Sequence, residues 1–260
     1  MVRFAFAVIA IVWPSLALSG AWTLERGETK TFVASSFTYG ENGFDEDGKL
    51  VSVPEYRKFE LTGRFEYGVR PWLTAIAIGE LRQESVETEL SPTLIAPVST
   101  SFGGVAGGAR LRLHKAPSWV FSTEVKIVSG GFDADGTSAP ADGPALDARA
   151  LVGVGGKVLG KHTFADIQAG YRVAFRSDDA DEVNIDLTVG RLLTPRWMVL
   201  AQTFSTFEVG GSDVQFHKVS GSVVRQVTER LQVEVTGLAT VYGRNALQEF
   251  GGKLGFWYTF

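Results

Sequence analysis

From Tyr56 to Val69 the chain reads YRKFELTGRFEYGV, with apolar and polar positions in alternation. Side chains on an extended strand flip with a period of two. Phe59, Leu61, Phe65, Tyr67 and Val69 therefore share one face, and Lys58, Glu60, Thr62, Arg64 and Glu66 share the other. In TFADIQAGYRVAF, from Thr163 to Phe175, Ala165, Ile167, Tyr171, Val173 and Phe175 oppose Asp166, Gln168 and Arg172. The pattern returns in WVFSTEVKI (Trp119 to Ile127), EVNIDLTV (Glu182 to Val189) and LQVEVTG (Leu231 to Gly237).

An ordinary strand has about five or six residues, whereas these alternations run to about ten or more, the length that crosses a bilayer at a tilt. Twelve strands are expected, at 28–39, 56–68, 72–83, 102–113, 119–129, 146–158, 163–176, 182–191, 197–208, 214–226, 231–242 and 249–260. The third, fourth, ninth and tenth cannot be phased, because small residues and mixed faces blur the alternation, as in WMVLAQTFSTF from Trp197 to Phe207.

The connections fall into two alternating sets. GVRP (68–71), HKAPS (114–118), LGKH (159–162), LLTPR (192–196) and VTER (227–230) are short. Segments 40–54, 83–100 and 130–145 are long, and three shorter links follow near Ser177, Gly210 and Arg244. Short periplasmic turns alternating with longer external loops are the pattern of outer-membrane barrels. The expectation is an all-β fold, a transmembrane antiparallel up-and-down barrel of about 12 strands, with both ends on the periplasmic side.

A leader precedes it. Arg3 gives a positive start, FAFAVIAIVW (Phe4 to Trp13) is an apolar stretch too short to span a bilayer, and ALSGA (Ala17 to Ala21) offers small residues for cleavage before Gly20 or before Trp22. Residues 1–21 are assigned to a cleaved signal peptide and 22–260 to the barrel. With 45% hydrophobic and 21% charged residues the chain is not disordered, and a formal charge of −4 argues against nucleic acid as a partner. The absence of cysteine excludes disulfides, thiol catalysis and thiolate metal sites.

The chain ends in GFWYTF, an aromatic run where most chains fray. Phe250, Leu254, Phe256, Tyr258 and Phe260 share one face, opposite Glu249, Lys253 and Thr259. A last strand that closes a barrel against the first is held by pairing, and its aromatics enter the interfacial girdle. At Phe256, Tyr258 and Phe260 the sequence resembles Gram-negative outer-membrane β-barrel proteins, whose final strand ends in Phe. That resemblance implies recognition by the barrel-assembly machinery and a location among outer-membrane lipid and lipopolysaccharide. More weakly, the strand, turn, Trp, strand units YGVRPWLTA and LLTPRWMVLAQ resemble outer-membrane proteins of the phenol-degradation MetA-pathway type. This second likeness implies transport of a small molecule without naming it.

Charges assigned inward are Lys58, Arg64, Arg110, Arg112, Lys126, Arg149, Lys157, Arg172 and Lys253, with Glu60, Glu66, Glu80, Glu124, Asp147, Asp166, Asp186 and Glu234. A charge facing lipid costs about 2–4 kcal/mol at the midplane, so these belong in the lumen, where opposite signs on adjacent strands can pair. They either line a hydrated, weakly selective channel or fill a narrow barrel. Gly63 or its neighbours in the second strand, with Gly104, Gly108, Gly153 and Gly155, are expected inward, freeing space or permitting curvature. The long segment 130–145 is the candidate plug by its length. The acidic runs ENGFDEDG and SDDADE are read as solvated external loops, and no metal or cofactor site is expected.

The function expected is passive, weakly selective passage of small polar or aromatic solutes. A non-conducting structural, adhesive or receptor barrel acting through the acidic loops is the alternative. The third reading, a rim lipid hydrolase, rests on His217 with Ser205 or Ser220, and no nucleophile pattern supports it. LVGVGGKV (Leu151 to Val158) lacks the first glycine and the hydroxyl residue of a phosphate loop and is read as barrel wall.

Overall fold

A computed structural model of the chain describes residues 20–86, 98–130, 132–133, 143–176, 179–211 and 213–260. Its strands are β1 (Thr29–Phe44), β2 (Leu50–Arg70), β3 (Leu73–Val86), β4 (Val98–Lys115), β5 (Trp119–Val128), β6 (Phe132–Asp133), β7 (Ala145–Val158), β8 (Lys161–Ala174), β9 (Asp181–Thr194), β10 (Trp197–Val209), β11 (Gln215–Gln226), β12 (Leu231–Arg244) and β13 (Ala246–Thr259). All pairings are antiparallel. The two-residue β6 only caps β4 at Ser101 and Phe102. The other twelve run in sheet order β3-β2-β1-β13-β12-β11-β10-β9-β8-β7-β5-β4, and a β3–β4 ladder closes the ring. Closure leaves no free edge, the condition for a sheet in lipid, where unpaired backbone groups have no water to turn to.

The terminal aromatics are held as expected. Lys30 through Tyr39 pair with Thr259 back to Phe250, and the Phe260 amide donates to the Thr29 carbonyl at 2.9 Å. Phe250, Leu254, Phe256 and Phe260 face outward, together with Phe37, Phe59, Phe65, Ile127 and Val235. Such a continuous apolar outer surface would be a liability in water and is the face a bilayer covers. The chain is thus an outer-membrane-type β-barrel, with the short-turn end assigned to the periplasm.

The first external loop is shorter than its sequence suggested. β1 and β2 extend to Phe44 and Leu50, leaving only Asp45–Lys49 as a turn, where the Asp45 carboxylate accepts from the Asp47 and Lys49 amides. Pro54 stands within β2 because the register jumps from Gly40/Tyr56 to Asn42/Ser52, so no ladder bond is asked of it. The first and second long loops differ in this respect: residues 87–97 of the second lie outside the described residues, as do 134–142 of the third and its expected plug.

The four unphased strands are now placed. Thr74, Ile76 and Arg110 are buried on the inner face of β3 and β4, as are Met198 in β10 and Ser222 and Val224 in β11. Apolar residues thus point inward on those strands, which is why their alternation carried no clear phase. Gly63 is corrected: it lies on the outer face between Leu61 and Phe65, with nothing within 4 Å of a Cβ placed there. Lys157 keeps the inner-face parity of Asp147 and Arg149, opposite His162, and is exposed at the turn end.

Candidate functional site in the barrel lumen

One lumen wall is a continuous charge network. Arg64 meets Glu66 at 2.7 Å, Glu66 meets Arg110 at 3.2 Å, and Arg110 meets Glu124 at 2.7 Å. Arg64 also reaches Glu124 at 3.4 Å, and Glu124 holds Lys126 at 2.8 Å. Lys126 lies 3.6 Å from Asp147, which Arg149 grips at 2.9 Å while reaching Asp186 at 2.8 Å. Nearer the outer mouth, Lys58 bridges Glu60 and Glu249 at 3.4 and 3.6 Å, Arg82 binds Glu80 at 2.7 Å, and Arg172 faces Glu182 at 3.8 Å. The alternating signs read from the sequence therefore pair across the ladders. Arg112 points inward on β4 beyond Arg110, half-buried near the turn end.

The adjoining wall, on β1 and β13, is aromatic and hydroxylic. Phe32 of β1 and Trp257 of β13 stack with centroids 4.0 Å apart, so the tryptophan of the terminal aromatic run belongs to the lumen while its neighbours face lipid. The Trp257 indole donates to Glu234 at 2.9 Å, and Lys253 meets Glu234 at 3.1 Å while its ammonium sits 5.4 Å from the Phe32 ring. Together with Leu200, Phe204, Arg64 and Gln202 these groups enclose a midlumen chamber of about 270 Å³. A mouth of about 460 Å³ opens on the external-loop side, where Tyr56 and Phe216 stand among the charges. A vestibule of about 360 Å³ lies at the turn end.

Vestibule and midlumen chamber share Phe164, and what separates them there is a feature the sequence did not disclose. Residues Gly20 to Arg26 precede β1; Gly20 to Leu24 enter the lumen, while Glu25 and Arg26 are exposed at the turn end. Ala21 is wholly buried against Val120 and Leu151, and Leu24 is buried at Thr74 of β3. The segment is held by its main chain. The Ala21 amide donates to Asp166 at 2.7 Å, Arg110 donates to the Trp22 carbonyl at 2.9 Å, and the Leu24 amide donates to the Thr74 hydroxyl at 2.9 Å. Ser122 donates to the Ala21 carbonyl. The Trp22 ring packs edge to face on Phe164 and over Gly153, where a Cβ would stand 2.6 Å from the indole. This stretch is too short for periodicity to reveal it. The apolar pair Trp22 and Leu24 just ahead of the first strand was the one available signal.

The predicted site residues therefore have distinct roles. Arg64, Glu66, Arg110, Glu124, Lys126, Asp147, Arg149 and Asp186 form one network, Lys58, Glu60 and Arg172 line the outer mouth, Lys253 faces the midlumen chamber, and Asp166 holds the N-terminal segment. Some acidic loop residues are engaged, whereas Glu41 and Glu46 are exposed. Asp181 accepts from the Tyr171 hydroxyl at 2.8 Å and the Ala174 amide at 2.9 Å, and Asp179 faces Arg176 at 3.9 Å. Asp178 lies outside the described residues.

On the outer wall Ser205 and His217 sit opposite one another, Oγ to Nδ1 at 2.9 Å, with the imidazole between Phe207 and Tyr242. Among the described residues nothing hydrogen-bonds the other ring nitrogen, so the group that would orient a catalytic base is missing from this pair.

No family model matches the chain, and no curated protein matches it in sequence. Solved structures do match. An outer membrane channel from Pseudomonas putida F1 shares 14% identity over 94% of this chain and 99% of its own, with a TM-score of 0.70. The NanC porin shares 10% over 88% and 98%, with a TM-score of 0.56. The transport unit of the autotransporter AIDA-I from Escherichia coli shares 9% over 95% of both chains, also with a TM-score of 0.56. In fold, this chain is a closed twelve-stranded antiparallel β-barrel like those of Gram-negative outer-membrane channels.

Proposed function

We propose that the barrel is a channel for small amphipathic solutes, in particular compact aromatic molecules bearing a polar or acidic group. The midlumen chamber carries this reading. An apolar ring would lie against the stacked Phe32 and Trp257, and a polar substituent would meet Lys253 or Arg64 on the adjoining wall. Lumens that pass ions indiscriminately have no use for inward Phe32, Leu200, Phe204 and Trp257, since an aqueous pore is lined by polar groups. Ligand sites combine such apolar walls with a few placed polar groups. The fold, shared with an outer membrane channel and a porin, is compatible with this role.

Passage requires the Gly20 to Arg26 segment to move, because Trp22 and Phe164 stand between the midlumen chamber and the vestibule. The reading is tested by ion current through single refolded barrels with benzoate or acetate added. Benzoate is expected to interrupt the current at concentrations where acetate does not, and Trp257→Ala to remove the difference. Equal effects of both acids would contradict an aromatic site. A folded barrel that conducts under no condition would favour the second reading, a filled barrel acting through its surface, for which the tight seating of Ala21 and Arg110 already speaks.

A further inference from the structure

Among the described residues the inner wall buries six carboxylates, Glu66, Glu124, Asp147, Asp166, Glu234 and Glu249. Five have a basic side chain against them: Glu66 has Arg64, Glu124 has Arg110, Asp147 has Arg149, Glu234 has Lys253, and Glu249 has Lys218. Asp166, 2% exposed, is different. Its oxygens accept only neutral donors, the Gln168 amide at 2.8 Å and the Ala21 main-chain amide at 2.7 Å, and no Lys or Arg side chain of the described residues pairs with it. Arg110 is the nearest positive influence but makes no ion pair with it, and a buried carboxylate without an ion-pair partner is costly.

The missing countercharge has an evident source in the chain itself. Gly20 is buried directly on this carboxylate: a Cβ on it would lie 2.8 Å from the Asp166 Cγ and Oδ2, so a larger residue would displace the carboxylate from the main chain. The nitrogen of Gly20 is one bond from that Cα. We propose that the chain is cut between Ser19 and Gly20 and that the α-ammonium group so created is bound by Asp166. In the cut, a leader-removing peptidase uses water to open the Ser19–Gly20 amide. The Ser19 carboxylate leaves with the leader, and the freed Gly20 amine takes up a proton.

The sequence allows this position, with Ala17 and Ser19 as the small residues three before and immediately before the cut. Cutting before Trp22 instead would delete Ala21, and with it the bonds to Asp166 and Ser122 and the methyl packed on Val120 and Leu151. It would also leave Asp166 with no partner but Gln168. Removal precedes barrel folding, since leaders are cut during export, so the final burial of Gly20 is no obstacle. The ammonium would act as the terminal latch of the segment that crosses the lumen, whether or not the barrel conducts.

The test uses the mature protein isolated from membranes. Intact mass and N-terminal peptide mapping should place the first residue at Gly20; a start at Trp22 overturns the proposal. The free amine is then acetylated at neutral pH with the barrel folded and again after heat unfolding, with the N-terminal peptide read by mass spectrometry. Enclosure by Asp166 predicts acetylation slower by about tenfold or more in the folded barrel, and Asp166→Asn should abolish most of that protection. Equal reactivity folded and unfolded overturns the pairing even if the cut is at Gly20. Should Asp166→Asn fail to fold, the comparison of folded and unfolded native protein decides alone.

Discussion

Trp22 and Phe164 meet edge to face in the lumen, with ring centroids 6.2 Å apart and planes at 89°. One ring belongs to the segment ahead of the first strand and the other to the inner wall of β8, so the contact pins an entering chain to the barrel at the boundary between two chambers. Edge-to-face pairs of this kind contribute about 0.5–1.5 kcal/mol beyond their buried area. That is enough to hold a short strap, and small enough for a solute to displace it.

The flat floor under Trp22 offers the first prediction. Gly153→Val places a branched side chain where a Cβ already lies 2.6 Å from the indole, so the ring must leave its seat. Solute entry into liposomes carrying this variant should rise severalfold. Gly155→Ala, a position with nothing within 4 Å of the added Cβ, should leave entry unchanged.

Arg110 is 1% exposed and binds Glu66, Glu124 and the Trp22 carbonyl at once. Arg110→Ala leaves two buried carboxylates short of their central partner, and breaking a buried pair in this way costs about 3–5 kcal/mol. A lower urea midpoint in lipid vesicles should report the loss. Arg110→Lys, which keeps the charge without the planar fork, should fall between variant and native protein.

The outer face makes the opposite demand. Val235 is 59% exposed and alternates with the buried Glu234 and Thr236. Val235→Arg should destabilise the barrel by about 2–4 kcal/mol in vesicle unfolding if it lies near the midplane, whereas Val235→Leu should be close to neutral. A tolerated arginine would mean that this face does not meet hydrocarbon.

Ser205 and His217 form a hydrogen bond on the outer wall without a third group behind the imidazole. Purified barrel should release no fatty acid from phospholipid vesicles, and Ser205→Ala and His217→Ala should leave that zero unchanged. Hydrolysis by the native protein that either substitution abolishes would make the pair catalytic.

Much of this architecture was legible because charge and period two coincide. In β2 and β8 every inward charge, from Lys58 to Glu66 and from Asp166 to Arg172, sits opposite an apolar outward neighbour, so phase and pairing followed from the order of residues. The chamber was not legible for the converse reason. Ile76, Met198, Leu200, Phe204 and Trp257 are apolar yet inward, and an alternation rule assigns apolar residues to lipid. Gly63 carries no polarity and was misplaced for want of a side chain. The lumen segment escaped notice because main-chain groups hold Ala21 and Trp22, and such bonds leave little mark on residue type.

The central claim is that the Gly20 to Arg26 segment closes an otherwise continuous path, and single-channel conductance tests it most directly. Refolded protein beginning at Gly20 is compared in planar bilayers with a variant lacking residues 20–26. The account predicts small or rare steps for the first and large, stable steps for the second, with benzoate still interrupting the current through the midlumen chamber. A folded variant that conducts no better than the complete chain would contradict it.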